Sequence, residues 1–315
     1  MIGFTRRVFG VAAATAVVAP ALGTTSWARA APALKVADIG NDLALHYVEA
    51  GSGSPVIFVH GSISDYTYWH DQFDPFANTH RVIAYSRRYN YPNINPARAG
   101  YSAYGDAADL AALIERLDLG PAHIVGHSYG AFTALILATR RPGLVRTLVL
   151  AEAPAVSLLG HVQGERSAEG KAMLADIRSR MVAPMTEAFR KGERERGVEI
   201  FVDYVNQDPH EWEGFSAASK AETMRDVGEW DVMMTTGELF PEVTPAAVRG
   251  VAAPALLLSG AKSYPFLGVI DEELTRLLPN NRRIVLDDAG HQMWFQRPEI
   301  CRSTALAFQA EHSSA

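Results

Sequence analysis

His123-Ile124-Val125-Gly126-His127-Ser128-Tyr129-Gly130-Ala131 is the stretch on which the reading of this chain turns. A short apolar run of strand character leads into G-x-S-x-G, and an apolar stretch of helical character, Ala131 to Thr139, follows. The pattern suits a sharp strand-to-helix turn. The serine takes a strained backbone position, and glycines two places to either side let neighbouring chain approach where a Cβ would clash. The helix N-terminus behind the serine adds a field that favours developing negative charge. By average Gly and Ser usage the five-residue pattern alone arises by chance in roughly one chain in ten of this length. Its weight therefore rests on the strand before it, the helix after it, and the segments around it.

Outward from this point, apolar runs without alternation recur at Val56 to Val59, Arg81 to Tyr85, Thr147 to Leu150, Ala255 to Leu258 and Arg283 to Leu286. Such runs suit parallel strands buried on both faces. Tyr104 to Leu117 carries apolar residues at a helical period, so strand and helix alternate and the fold class is α/β with a mostly parallel sheet flanked by helices. Near the start, segments 34 to 39 and 43 to 49 flank Gly40-Asn41-Asp42 and predict a hairpin. Segment 155 to 246, rich in Glu, Arg, Met and Ala, predicts a helical insertion between core segments 31–154 and 247–315.

Two further motifs flank the serine in order. Val56-Ile57-Phe58-Val59-His60-Gly61-Ser62 is a buried strand ending in His-Gly, and Asp288-Ala289-Gly290-His291-Gln292 follows the last apolar run, with Arg297-Pro298-Glu299 beyond it. With these motifs the sequence resembles the α/β-hydrolase family. The resemblance implies Ser128 as nucleophile, His291 as general base, and the backbone N–H groups of Ser62 and Tyr129 as an oxyanion hole. His60 and His127 read as buried hydrogen-bonding residues. Most family members place the catalytic acid in the loop after the strand at 255–260, yet here that loop reads Ala261-Lys262-Ser263-Tyr264-Pro265-Phe266, without a carboxylate. Glu152, at the end of the preceding strand, stands where zearalenone lactonase-like and sulfonylurea esterase-like members carry their acid. Asp271 and the Asp287-Asp288 pair are the alternatives. A carboxylate ending an apolar strand demands a partner.

The usual Asp-x-Arg-Gly of the family reads Ser86-Arg87-Arg88-Tyr89 here, with Arg87 matching its structural arginine. Trp294, Tyr89 and Trp69 are the expected substrate-binding aromatics, with Arg88, Tyr66, Tyr68, Tyr91 and Phe295 as further candidates. Within the insertion, read as a cap over the site, Trp212, Phe215, Trp230, Met233 and Met234 are expected on the apolar underside. The mixed-charge run Arg190 to Arg196 is expected to be a solvated helix face.

The 315 residues are 48% hydrophobic and 20% charged, enough to bury a full core. Residues 1–30 read as an export leader: Arg6-Arg7 in a twin-arginine-type setting, an apolar run Val11 to Gly23, and Ala28-Arg29-Ala30 as the cleavage signal. That run is too short to span a bilayer. The formal charge is −6; without the three leader arginines, 26 basic residues face 35 acidic ones, a net of −9. Such a surface repels nucleic acid and anionic lipid. Cys301 is the single cysteine, so no internal disulfide forms and no multi-cysteine metal site exists. The expectation is an exported, periplasmic or extracellular serine hydrolase of a small to medium, partly apolar ester or lactone. No metal or organic cofactor is implied. A carbon–carbon bond hydrolase or a cofactor-free perhydrolase would use the same triad, and a ligand-binding receptor on this fold would give it no role. The serine separates this chain from haloalkane dehalogenases and epoxide hydrolases, which resemble it but use Asp at that position.

Overall fold

The computed structural model describes residues 32–313, so the expected leader lies outside the described residues. β1 (Lys35–Gly40) and β2 (Leu43–Ala50) form an antiparallel hairpin. Its turn residues Asn41 and Asp42 both have positive φ, a conformation that short polar side chains tolerate. Six strands follow: β3 (Pro55–Val59), β4 (Arg81–Tyr85), β5 (Ala122–His127), β6 (Val145–Ala151), β7 (Ala255–Gly260) and β8 (Asn281–Leu286). The eight strands form one sheet in the order β1-β2-β4-β3-β5-β6-β7-β8. Every pairing from β4 to β8 is parallel, and only the β1–β2 and β2–β4 pairings are antiparallel. This is an α/β-hydrolase fold.

β5 is central and buried along its whole length, as its unbroken apolar run requires. Helices Ala103–Arg116 and Tyr129–Arg140 cover one face of the sheet, where Leu110, Ile114 and Leu135 enter the larger core. On the opposite face Phe73, Phe76, Trp294 and Phe308 fill a second core. β5 runs past Val125 because Gly126 and His127 pair with Leu150 and Ala151. The following helix begins at Tyr129, so Ser128 is the single residue between strand and helix.

Between β6 and β7 the described chain contains helices and loops and no strand. One helical path runs from Ser167 to Arg190, with a π-helical turn at Ile177–Val182. Residues 190–196 are exposed. Among the described residues no helix is long and apolar enough to cross a membrane.

Candidate active site

Ser128 sits at φ 53°, ψ −123°, a conformation unfavourable for any residue with a Cβ. It is held there from both sides. Its N–H donates to the Ala151 carbonyl at 2.8 Å, and its carbonyl accepts from Phe132 N–H at 3.1 Å in the first helical turn. The flanking glycines are sterically required. A Cβ on Gly126 would lie 2.6 Å from Ala131 N, and one on Gly130 would lie 2.5 Å from the His60 carbonyl.

His291 follows β8 and Glu152 follows β6. The two meet through a hydrogen bond from His291 Nδ1 to Glu152 Oε2 at 2.5 Å. The carboxylate is otherwise fully engaged: Oε1 accepts from Gly260 N–H at 2.8 Å and Oε2 from Ser263 Oγ at 2.6 Å. Glu152 is 1% exposed and sits at φ 52°. Ser263, in the loop where most relatives would carry the acid, thus donates to the carboxylate that arrives from the neighbouring strand. The other candidate carboxylates lie elsewhere. Asp271 is buried and accepts from Ser259 Oγ at 2.6 Å, while Asp287 and Asp288 are exposed and Asp288 pairs with Arg297.

Both other histidines of these motifs are hydrogen-bonding residues. Burial holds the His127 ring well below its usual pKa, so it is neutral, and Nε2–H donates to the His291 carbonyl at 2.9 Å. Tyr68 stacks on that ring with centroids 5.0 Å apart. His60 is fully buried; its Nδ1–H donates to the Gly61 carbonyl at 2.8 Å, and its Nε2 accepts Arg87 N–H at 2.9 Å.

Ser128 and His291 face a cavity of about 200 Å³ between sheet and cap. Its core side includes Ser62, Tyr68, Gln292 and Phe295; its cap side includes Phe201, Val205, Phe215 and Asp226. A smaller apolar recess also reaches Ser128 and His291, walled by Ser62, Tyr129, Met181, Trp230, Leu239 and Phe266. Met181 comes from the π-helical turn, a distortion often found at functional sites. Among the described residues no cluster of three or more His, Cys, Asp or Glu side chains has the arrangement to hold a metal ion.

The expected aromatic walls need correction. Trp69 is 0% and Trp294 2% exposed, and both pack in the core behind the pocket, with rings edge-on at 5.1 Å and Trp69 stacked on Phe58. In each short helical turn it is a neighbour that faces the cavity, Tyr68 in one and Phe295 in the other. Tyr89 turns away as well: its hydroxyl donates to the Pro96 carbonyl and accepts from Arg98 N–H. Arg88 is locked to Asp109 by two hydrogen bonds. In the cap, Phe215 and Trp230 reach the site, whereas Trp212, Met233 and Met234 are buried without lining the cavity or recess. Phe201, Val205 and Tyr264 were not anticipated. Val198, Phe201, Val202 and Val205 form an apolar stripe at helical spacing, the one signal that could have found the first two.

One end of the cavity is acidic. Asp65, Arg225 and Asp226 form a chain of ion pairs there, and Asp226 Oδ1 also accepts Tyr91 N–H at 2.7 Å. Burial, then the adjacent Asp65 charge, push the Asp226 carboxyl up to about 7. Unfolded, it titrates near 3.9. A raised acid contributes stability below the unfolded value and loses it as pH rises through the folded one. Asp226→Asn, which keeps an acceptor for Tyr91, is therefore expected to gain on the wild type from about pH 4 to pH 8, with a melting temperature a few degrees higher at the upper end. Thermal melts across that range check this; a difference that does not change with pH would contradict it.

The sequence matches the alpha/beta hydrolase family over residues 56–303, and the chain belongs to that family. BpoC of Mycobacterium tuberculosis, provisionally named a non-heme bromoperoxidase, is 30% identical over 277 residues, covering 84% of this chain and 97% of BpoC. A 2-(acetamidomethylene)succinate hydrolase of Mesorhizobium japonicum is 27% identical over 270 residues, covering 84% and 90% of the two chains. Among solved structures, Est816, described as an N-acyl homoserine lactone degrading enzyme, aligns with a TM-score of 0.63 at 21% identity, covering 87% of this chain and 100% of its own. The carboxylesterase CesB of Bacillus subtilis aligns with a TM-score of 0.67 at 17% identity, covering 90% and 93%. At these identities the two structures speak to the fold.

Proposed function

We propose that this protein is an exported serine hydrolase that cleaves a carboxylic ester or lactone of small to medium, partly apolar character. The observation that carries the reading is the His291–Glu152 hydrogen bond beside a serine held at a strained strand-to-helix turn, with serine and histidine facing one cavity. In this reading Ser128 Oγ attacks the substrate carbonyl carbon while His291 Nε2 takes its proton, and the carbonyl oxygen becomes an oxyanion received by Ser62 and Tyr129 N–H. The C–O bond to the leaving alcohol breaks as His291 returns the proton to it, leaving an acyl-enzyme. Water, deprotonated by His291, attacks the acyl carbon; Ser128 leaves and regains the proton, and the acid departs. Glu152 orients the imidazole and stabilises its charged form. The apolar recess suits a hydrocarbon portion of substrate, and the cap restricts water. A panel of esters and lactones tests the reading on wild type beside Ser128→Ala; no turnover of any member would refute it.

The likeness to BpoC favours a second reading, perhydrolysis. There hydrogen peroxide replaces water at the acyl-enzyme, releasing a peracid and free Ser128; the peracid passes its terminal OH to bromide, giving hypobromous acid, and becomes the carboxylate. Bromination of a phenol dye with acetate, peroxide and bromide, absent in Ser128→Ala, distinguishes it.

Export rests on the leader. Cleavage after Ala30 is expected to leave Ala31 as the mature N-terminus, and replacing Arg6-Arg7 by Lys-Lys is expected to retain the precursor in the cytoplasm. N-terminal sequencing of the exported protein checks both; an exported chain that begins at Met1 would contradict the assignment.

A further inference from the structure

Glu229 stands on the cap helix Gly228–Thr236, yet its carboxylate is spent on a loop of the core. It is fully buried. Oε1 accepts Ile63 N–H at 2.7 Å, across 166 residues of sequence, and Oε2 pairs with the Arg87 guanidinium. Arg87 in turn donates to the Gly61 carbonyl at 3.0 Å and to Asp106 at 2.8 Å, and its guanidinium lies 5.0 Å from the centre of the Tyr129 ring.

Ser62 lies between Gly61 and Ile63, so these contacts act on the two peptide planes that flank it. A peptide is planar, so a carbonyl held at Gly61 fixes the direction of Ser62 N–H on the other side of the same plane. Arg87 and His60 hold that carbonyl. The next plane carries Ile63 N–H, and Glu229 holds it. Ile63 sits at φ 45°, a strained conformation for a β-branched residue, which persists only where surrounding structure imposes it. Glu229 is the group from the cap that does so.

Burying a carboxylate beside Arg87 and Asp106 leaves two negative charges on one guanidinium, an expensive arrangement where stability alone is concerned. We infer that Glu229 is a positioning residue that aims Ser62 N–H at the developing oxyanion and ties that donor to the seating of the cap. The inference rests on the serine-hydrolase reading above. A cap helix shifted away from the core would release Ile63 N–H and take from Arg87 one of its two carboxylate partners, loosening the peptide planes on both sides of Ser62. Ser62 N–H is then held on both sides only while the cap helix is seated on the core.

The test compares wild type, Glu229→Gln and Glu229→Ala. The glutamine keeps an oxygen for Ile63 N–H and loses the ion pair; the alanine loses both. With p-nitrophenyl acetate, kcat is expected to fall roughly a hundredfold in Glu229→Ala, as for loss of one oxyanion donor, with KM within about threefold and the glutamine variant in between. Inhibition by phenylboronic acid, which becomes a tetrahedral anion on the serine, is expected to weaken in the same order. A merely structural residue would lower the melting temperature and the active fraction without this parallel loss. Folded Glu229→Ala with kcat within threefold of wild type, or kcat falling while boronate affinity holds, would overturn the positioning role. If the alanine variant does not fold, the glutamine variant decides: an unchanged kcat together with unchanged boronate affinity overturns the proposal. A fluorophosphonate probe on wild type and Ser128→Ala separates the two readings, since failure to label wild type at Ser128 would overturn the serine nucleophile and this proposal with it.

Discussion

Ser128→Ala is expected to lower turnover on the order of a millionfold, as removal of the nucleophile does in serine hydrolases, while leaving the fold and substrate binding in place. Oγ is the only heavy atom lost. The backbone bonds that hold the turn, from Ser128 N–H to Ala151 and from Phe132 N–H to Ser128, do not involve it. Alanine carries the same Cβ at the same positive φ and adds no strain. Steady-state kinetics beside a thermal melt and calorimetric titration with a turned-over substrate check this. A variant that retained a tenth of the activity would remove Ser128 from the mechanism.

Glu152→Gln is expected to lower turnover by about a thousandfold or more with little change in the fold, since disabling the acid of comparable triads costs on the order of ten-thousandfold. The geometry explains why so small a change is severe. Glu152 receives three donors: Gly260 N–H on one oxygen, Ser263 Oγ–H and His291 Nδ1–H on the other. Whichever way a glutamine amide turns, its NH2 meets at least one of these donors. With the NH2 toward His291, the ring keeps its proton on Nε2 and cannot accept one from Ser128. Asp271→Asn is expected to leave kcat almost unchanged, because Asp271 bonds Ser259 and asparagine can still accept that hydroxyl. Kinetics in which Asp271→Asn is the crippling change, or in which Glu152→Gln stays within tenfold, would overturn the assignment.

The inner strands β3 to β7 were legible because they are buried on both faces and read as unbroken apolar runs, within a few residues of their observed ends, whereas β8, read in the same way, is an edge strand with Arg282 and Val285 exposed. β5 and β6 were the least well bounded, each three residues longer than its apolar run; in β5, Gly126 and His127 carry no strand propensity and are recruited by pairing to β6. Glu152 stood out because a carboxylate at the end of an apolar strand needs partners, and the empty acid position left His291 as one. The walls were less legible. Trp69 and Tyr68 are adjacent, as are Trp294 and Phe295, and composition does not tell which member of each pair faces the cavity. Glu229 gave no sign at all: its partners lie at residues 63 and 87, and only the tertiary fold brings them together.

Glu152 reaches His291 from β6, and the loop after β7 answers with the Ser263 hydroxyl alone. The next residue, Tyr264, lines both the cavity and the recess, its ring 5.1 Å from that of His291. In the more common arrangement that loop is tethered by the carboxylate it must deliver, so its shape is dictated by proton transfer. Here the two duties have separate addresses in the gene. On the proposed triad, substitutions at residues 264 to 266 therefore reshape what the cavity and recess admit while leaving the His291–Glu152 bond in place.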